Sequence, residues 1–155
     1  MFVDEELTSG QINFVRDSGF SQICILGGDV AVSENTADML REYATVTRVN
    51  GRDRYESSYL IACNFFSDSD SVILTAGKSF ADGICCGPLA VKENMPILLT
   101  SPTKYGWTHQ YVTDRKILKD LVVGGTKAVT AKEISAIMTQ YMDDDVTIDL
   151  DRQLY

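Results

Sequence analysis

Three arginines, Arg48, Arg52 and Arg54, stand close to one aspartate, Asp53, around the turn and helix start Arg48-Val49-Asn50-Gly51-Arg52-Asp53-Arg54-Tyr55-Glu56-Ser57-Ser58. Guanidinium groups at that density suit two-pronged contacts to phosphate or carboxylate. The same residues also have an internal use, in which Asp53 caps a helix and Arg54 pairs with Asp82. Arg52, the arginine least tied to a local pattern, is then the freer ligand candidate. A second set, Lys78-Ser79-Phe80-x-Asp82, follows an apolar run, at the end where open parallel sheets place their ligands. A third set, Tyr105, Trp107 and His109, is either a platform for stacking on sugar rings or peripheral packing.

Catalysis finds no support. No G-x-S-x-G elbow and no H-E-x-x-H occurs, and the single His has no recognisable Cys partner. The four cysteines (Cys24, Cys63, Cys85, Cys86) follow no zinc spacing and read as small core residues, so no metal and no cofactor is expected. Gly27-Gly28 and Gly124-Gly125 either offer backbone N–H groups to an anion or make tight strand-to-helix turns. The second reading is preferred, because no P-loop lysine and no G-x-G-x-x-G follows.

A net charge of −8 without a basic stripe argues against nucleic acid and against anionic membrane surfaces. No apolar run nears the roughly 18 residues of a membrane span. The N-terminus, MFVDEELTSGQ, lacks the basic and apolar regions of a signal peptide. The expectation is an intracellular, cytoplasmic chain or a segment of a longer exported one.

These residues need elements to hold them. The organising stretch is Val72 to Thr100: an apolar run (Val72 to Leu74), a helix-compatible crossover, then a second apolar run (Pro96 to Leu99). That is the pattern of a β-α-β unit with parallel, doubly buried strands. Gly87-Pro88 marks a kink or the start of a second helix. Elsewhere the pattern predicts helices at Thr8–Ser18, from Ser33, over Asp53–Phe66 and from Thr130 through Tyr141. Thr8/Gln11 and Thr130/Glu133 have capping-box spacing. Strands are expected at Ile23–Leu26 and Ile117–Val123, a strand or extended link at Val46–Val49, and a polar helix or loop over Thr103–Asp114.

The segment Ile25-Leu26-Gly27-Gly28-Asp29-Val30-Ala31-Val32-Ser33 recurs as Val122-Val123-Gly124-Gly125-Thr126-Lys127-Ala128-Val129-Thr130 at a constant offset of 97 residues. Val146 to Tyr155 weakly resumes Val46 to Tyr55. The expected organisation is the C-terminal half of one repeat unit (1–45), a complete unit (46–141), and the start of another or a tail (142–155), in one compact domain.

This unit resembles the cell-wall-binding repeat 2 family of bacterial, especially clostridial, surface proteins. The matching residues are Arg48-x-x-Gly51-x-Asp53-Arg54-Tyr55-x-Ser57, Gly77-x-x-Phe80-x-Asp82, Gly87-Pro88-Leu89-Ala90, Pro96-Ile97-Leu98-Leu99 and the Gly-Gly-x-x-Ala-Val elements. Gly83, where the family usually has Ala, and an aromatic-rich Thr103–Asp114 depart from it. The resemblance implies non-covalent attachment to an anionic secondary cell-wall polysaccharide at the cell surface. It also implies tandem modules in a longer chain, or a dimer or trimer of this one. The family places its Pro-Ile-Leu-Leu signature near the polymer, which adds Thr100 and Ser101 to the candidates.

The fold class expected is α/β, a parallel β-sheet with flanking helices in a Rossmann-like or Toprim-like repeat unit. The polymer-binding set is Arg48, Arg52, Arg54, Lys78, Ser79, Asp82, Thr100, Ser101 and Lys104. The competing reading is a small intracellular α/β enzyme or ligand-binding protein using the same carboxyl-end cleft.

Overall fold

A computed structural model describes residues 1, 3, 6–79 and 81–139. Phe80, Tyr141 and the expected restart at Val146 lie outside the described residues. Among the described residues, five strands form two parallel sheets. In the first, β1 (Gln22–Leu26) pairs with β2 (Thr45–Val49). In the second, β3 (Ser71–Ala76) lies between β4 (Ile97–Thr100) and β5 (Lys119–Val123).

The centre of β3, Val72 to Leu74, is apolar because helices cover both of its faces. Val72 and Leu74 pack with Leu98, Tyr111, Val112 and Ile137 on one side, while Ile73 packs with Cys86 and Ala90 on the other. All three β3 residues have zero exposure, so truncating any of them to Ala should cost about 2–5 kcal/mol. The crossover to β4 is two helices, α4 (Ala81–Cys85) and α5 (Gly87–Glu93). Pro88 opens the second, where its missing N–H would have had no helical partner.

The outer edge of β4 is closed by side chains. The Leu99 N–H donates to Ser58 Oγ (3.1 Å), and the Leu99 carbonyl accepts from the Thr108 hydroxyl (3.0 Å). Ser58 belongs to α3 (Arg54–Phe65) and Thr108 to α6 (Gly106–Arg115), so two helices are tied to one strand. The ambiguous polar stretch is therefore mostly helix.

The remaining helices are α1 (Ser9–Ser18), α2 (Glu34–Arg41) and α7 (Ala131–Met138). Thr8 and Gln11 form the expected capping box, and Gly19 ends α1 at φ 63°. The second capping box is only half made. Thr130 accepts from the Glu133 amide, but the Glu133 carboxylate takes the Thr100 hydroxyl at 2.6 Å instead of reaching back. That pull comes from a buried hydroxyl on β4 that has to be satisfied.

The Gly-Gly elements are equivalent structures. β1 and β5, and likewise α2 and α7, coincide residue for residue at the offset of 97. Gly27 and Gly124 have φ of 126° and 129°, values that favour glycine. Ser33 and Thr130 cap the helices that follow, accepting from Thr36 and Glu133.

The cysteine reading needs correction. Cys24 and Cys85 are exposed, Cys63 is half-buried and Cys86 is buried. Among the described residues, only the Ile23 and Ile25 face of β1 packs on a core, so Cys24 and Leu26 stand in the open. Cys85 and Cys86 are about 100° apart around a helical path, so one faces outward when the other faces in.

Candidate functional site

The carboxyl ends of β3 and β4 meet the N-terminus of α3, and the matched sequence motif is what builds that corner. Asp53 caps α3, accepting from the amides of Tyr55 (3.0 Å) and Glu56 (3.1 Å). A Cβ on Gly51 would lie 2.6 Å from Glu56 and from the Ser57 nitrogen. The Gly51 amide donates to Ser57 Oγ at 2.9 Å, which explains both small residues. Arg54 donates to the Gly77 carbonyl at 2.9 Å, and the Tyr55 ring fills the space where a Gly77 side chain would stand. The anticipated Arg54–Asp82 pair is not formed. The Asp82 carboxylate instead lies against Gly124 in the β5–α7 turn.

Two shallow clefts flank Tyr55 and share Lys104. One, of about 400 Å³, is lined by Arg54, Tyr55, Gly77, Lys78, Ser101, Thr103 and Lys104. The other, of about 600 Å³, is lined by Arg52, Asp53, Tyr55, Glu56, Lys104, Gly106, Trp107 and Gln110. Together they hold four cations against two carboxylates, on a chain whose net charge is −8.

The cations differ in how far they are committed. Lys78 is exposed and has no ion-pair partner among the described residues. Lys104 Nζ bonds Asp53 at 2.8 Å and lies 5.5 Å from the centre of the Tyr55 ring. The Lys104 bond, followed by the Glu56 amide, holds the Asp53 carboxyl below the usual range. Arg52 pairs with Glu56 at 2.9 Å and pulls that carboxyl down as well. Arg52 is thus less free than its sequence suggests, although its side chain is 81% exposed.

The other expected residues separate. Ser101 is buried but lines the smaller cleft, its Oγ accepting from the Lys104 amide. Ser79 is exposed beside Lys78. Thr100 turns inward at zero exposure, because its hydroxyl serves Glu133, so its side chain is not offered to a ligand. Arg48 lies on the other sheet. It bonds the carbonyls of Gly27 and Val32 (both 2.9 Å) and pairs with Glu34 (3.2 Å) and Asp29 (3.7 Å).

Trp107 offers no open stacking platform. Tyr59 lies 5.2 Å from it and the Arg52 guanidinium 5.6 Å, and His109 Nδ1 is hydrogen-bonded with the Ile137 carbonyl. Peripheral packing is the reading this geometry fits. Sequence reasoning missed Tyr55 as the wall between the clefts, because its helical spacing groups it with Tyr59, Ala62 and Cys63 on one face of α3.

Relatives carry the same architecture. A family model, cell wall binding domain 2 (CWB2), matches residues 48–134, more than half of the chain. The N-acetylmuramoyl-L-alanine amidase LytC of Bacillus subtilis is 30% identical over 116 residues, covering 74% of this chain and 22% of that protein. Two solved structures from Clostridium difficile share the fold. Cwp6 has a TM-score of 0.72 at 21% identity, covering 86% of this chain and 22% of that one. Cwp8 has a TM-score of 0.67 at 23% identity, covering 80% and 20%. This chain therefore spans about a fifth of the length of each of these relatives. By the residues matched, the chain belongs to the cell wall binding domain 2 family.

Proposed function

We propose that this chain is a non-catalytic module that holds an anionic secondary cell-wall polysaccharide at the clefts on either side of Tyr55. The observation that carries the reading is a knot of cations, Arg52, Arg54, Lys78 and Lys104, at the carboxyl ends of parallel strands on an acidic body. At long range the body repels a polyanion, within a screening length of about 8–10 Å at physiological salt. Attraction is therefore local. Lys78 meets an anionic group directly, Arg54 keeps the guanidinium nitrogens not used on Gly77, and Ser101 and Thr103 supply polar contacts.

Each exposed charged contact contributes only about 0.5–1 kcal/mol. One module then binds at roughly millimolar strength, and linked or assembled modules gain through effective concentration. Sharing a family with parts of much longer proteins supports a tandem or oligomeric arrangement at the cell surface. The test is titration with purified wall polysaccharide at rising salt. Weak binding that fades as salt rises is expected, and binding indifferent to salt would count against a charge-based site.

A further inference from the structure

The charge of the chain is unevenly divided. Residues 1–45 carry eight Asp and Glu against two Arg, a charge of −6. Residues 46–141 carry nine Asp and Glu against eleven Lys and Arg, a charge of +2. Two of those cations, Lys127 and Lys132, line neither cleft. Both are exposed, and neither has an ion-pair partner among the described residues.

The internal repeat shows that the fold does not need them. At the offset of 97, Lys127 and Lys132 correspond to Val30 and Asn35, and Thr126 and Ala131 correspond to Asp29 and Glu34. The two strand-to-helix turns share their backbone, with φ of 126° at Gly27 and 129° at Gly124, and their hydroxyl caps, Ser33 and Thr130. At these four positions the first turn carries −2 and the second +2. In the first turn the acids are spent on Arg48, whereas the lysines of the second are spent on nothing described.

Strand order sets the second turn beside the clefts. β3 lies between β4 and β5, and the three strands end level, with Ala76 beside Thr100 and Thr75 beside Val123. Neighbouring strands stand about 4.8 Å apart, so the three loops open within about 10 Å of one another. Lys104 follows the last residue of β4 by four positions, and Lys127 follows the last of β5 by four. Lys78, two positions past β3, stands between them. The Asp82 carboxylate joins the last two loops, lying 3.2 Å from the place a Gly124 Cβ would take, and it is half-buried there.

We propose that the β5–α7 turn is a further anion subsite, at which Lys127 and Lys132 take the next charged group of a polymer held at Lys104 and Lys78. The inference rests on the polymer reading above and gives it a direction: the polymer crosses the strand ends from β4 over β3 to β5. Titration of the full chain with purified wall polysaccharide tests it, comparing wild type, Lys127→Glu/Lys132→Glu and Lys116→Glu/Lys119→Glu. The last pair makes the same charge change at the amino end of β5. The first double variant should bind about fivefold more weakly or worse, with an unchanged melting temperature, and the second within about twofold of wild type. If Lys127→Glu/Lys132→Glu binds as wild type does while Arg52→Glu/Lys78→Glu does not, the subsite is overturned and the cleft reading stands. Equal losses in the first two double variants would overturn it as well, since net charge would then explain both. No binding by the wild type would overturn the subsite together with the reading beneath it.

Discussion

Gly77 and Tyr55 show how much of the site rests on one missing side chain. The Tyr55 ring occupies the place of a Gly77 Cβ, and Arg54 reaches the Gly77 carbonyl beside it. Gly77→Ala forces the ring aside, and the expected loss is about 1–3 kcal/mol, read from urea denaturation. A loss of a few tenths would mean that the ring moves freely. Asp53 and Glu56 set a pH dependence. Their native carboxyl values lie below the ordinary ones, so the stability they contribute is present above about pH 4 and is lost as pH falls through the depressed native values. Asp53→Asn keeps a helix cap without the titration, and its melting temperature should fall less on acidification than the wild type's. The Asp53 cap was legible because an acid before a helix has one common use. Tyr55 was not, since its spacing fits the core face and nothing local marks the glycine 22 positions on that it covers.

The elements were legible where their patterning reports burial. β3, with its apolar run Val72-Ile73-Leu74, was readable as a buried strand, and the Gly-Gly-x-x-Ala-Val repeat gave two matching turns because glycine suits φ near 126–129°. β1 misled for a physical reason. Ile23-Cys24-Ile25-Leu26 looks doubly buried, but its second face is uncovered among the described residues. Thiol labelling of the native chain checks this. Cys24 and Cys85 should react first, Cys63 more slowly and Cys86 last, the last also held by a raised thiol value from burial. Equal rates for Cys24 and Cys86 would contradict the exposed face.

For the whole molecule, the central claim is that a local cluster of cations on an acidic body holds a wall polyanion. Four of the nine residues expected from sequence, Arg54, Lys78, Ser101 and Lys104, line one cleft, and Arg52 lines the adjoining one. Arg48 and Thr100 are turned to internal bonds that no local sequence signal reveals, because their partners lie 14 to 33 residues away. The most direct measurement is the binding of purified wall polysaccharide to three forms of the chain: wild type, Arg52→Glu/Lys78→Glu, and Lys92→Glu on α5. Both altered cleft residues are exposed, so the melting temperature should change little. The account predicts that the double variant loses binding by tenfold or more while Lys92→Glu binds as the wild type does. Equal binding by the double variant and the wild type, or an equal loss in Lys92→Glu, would contradict it.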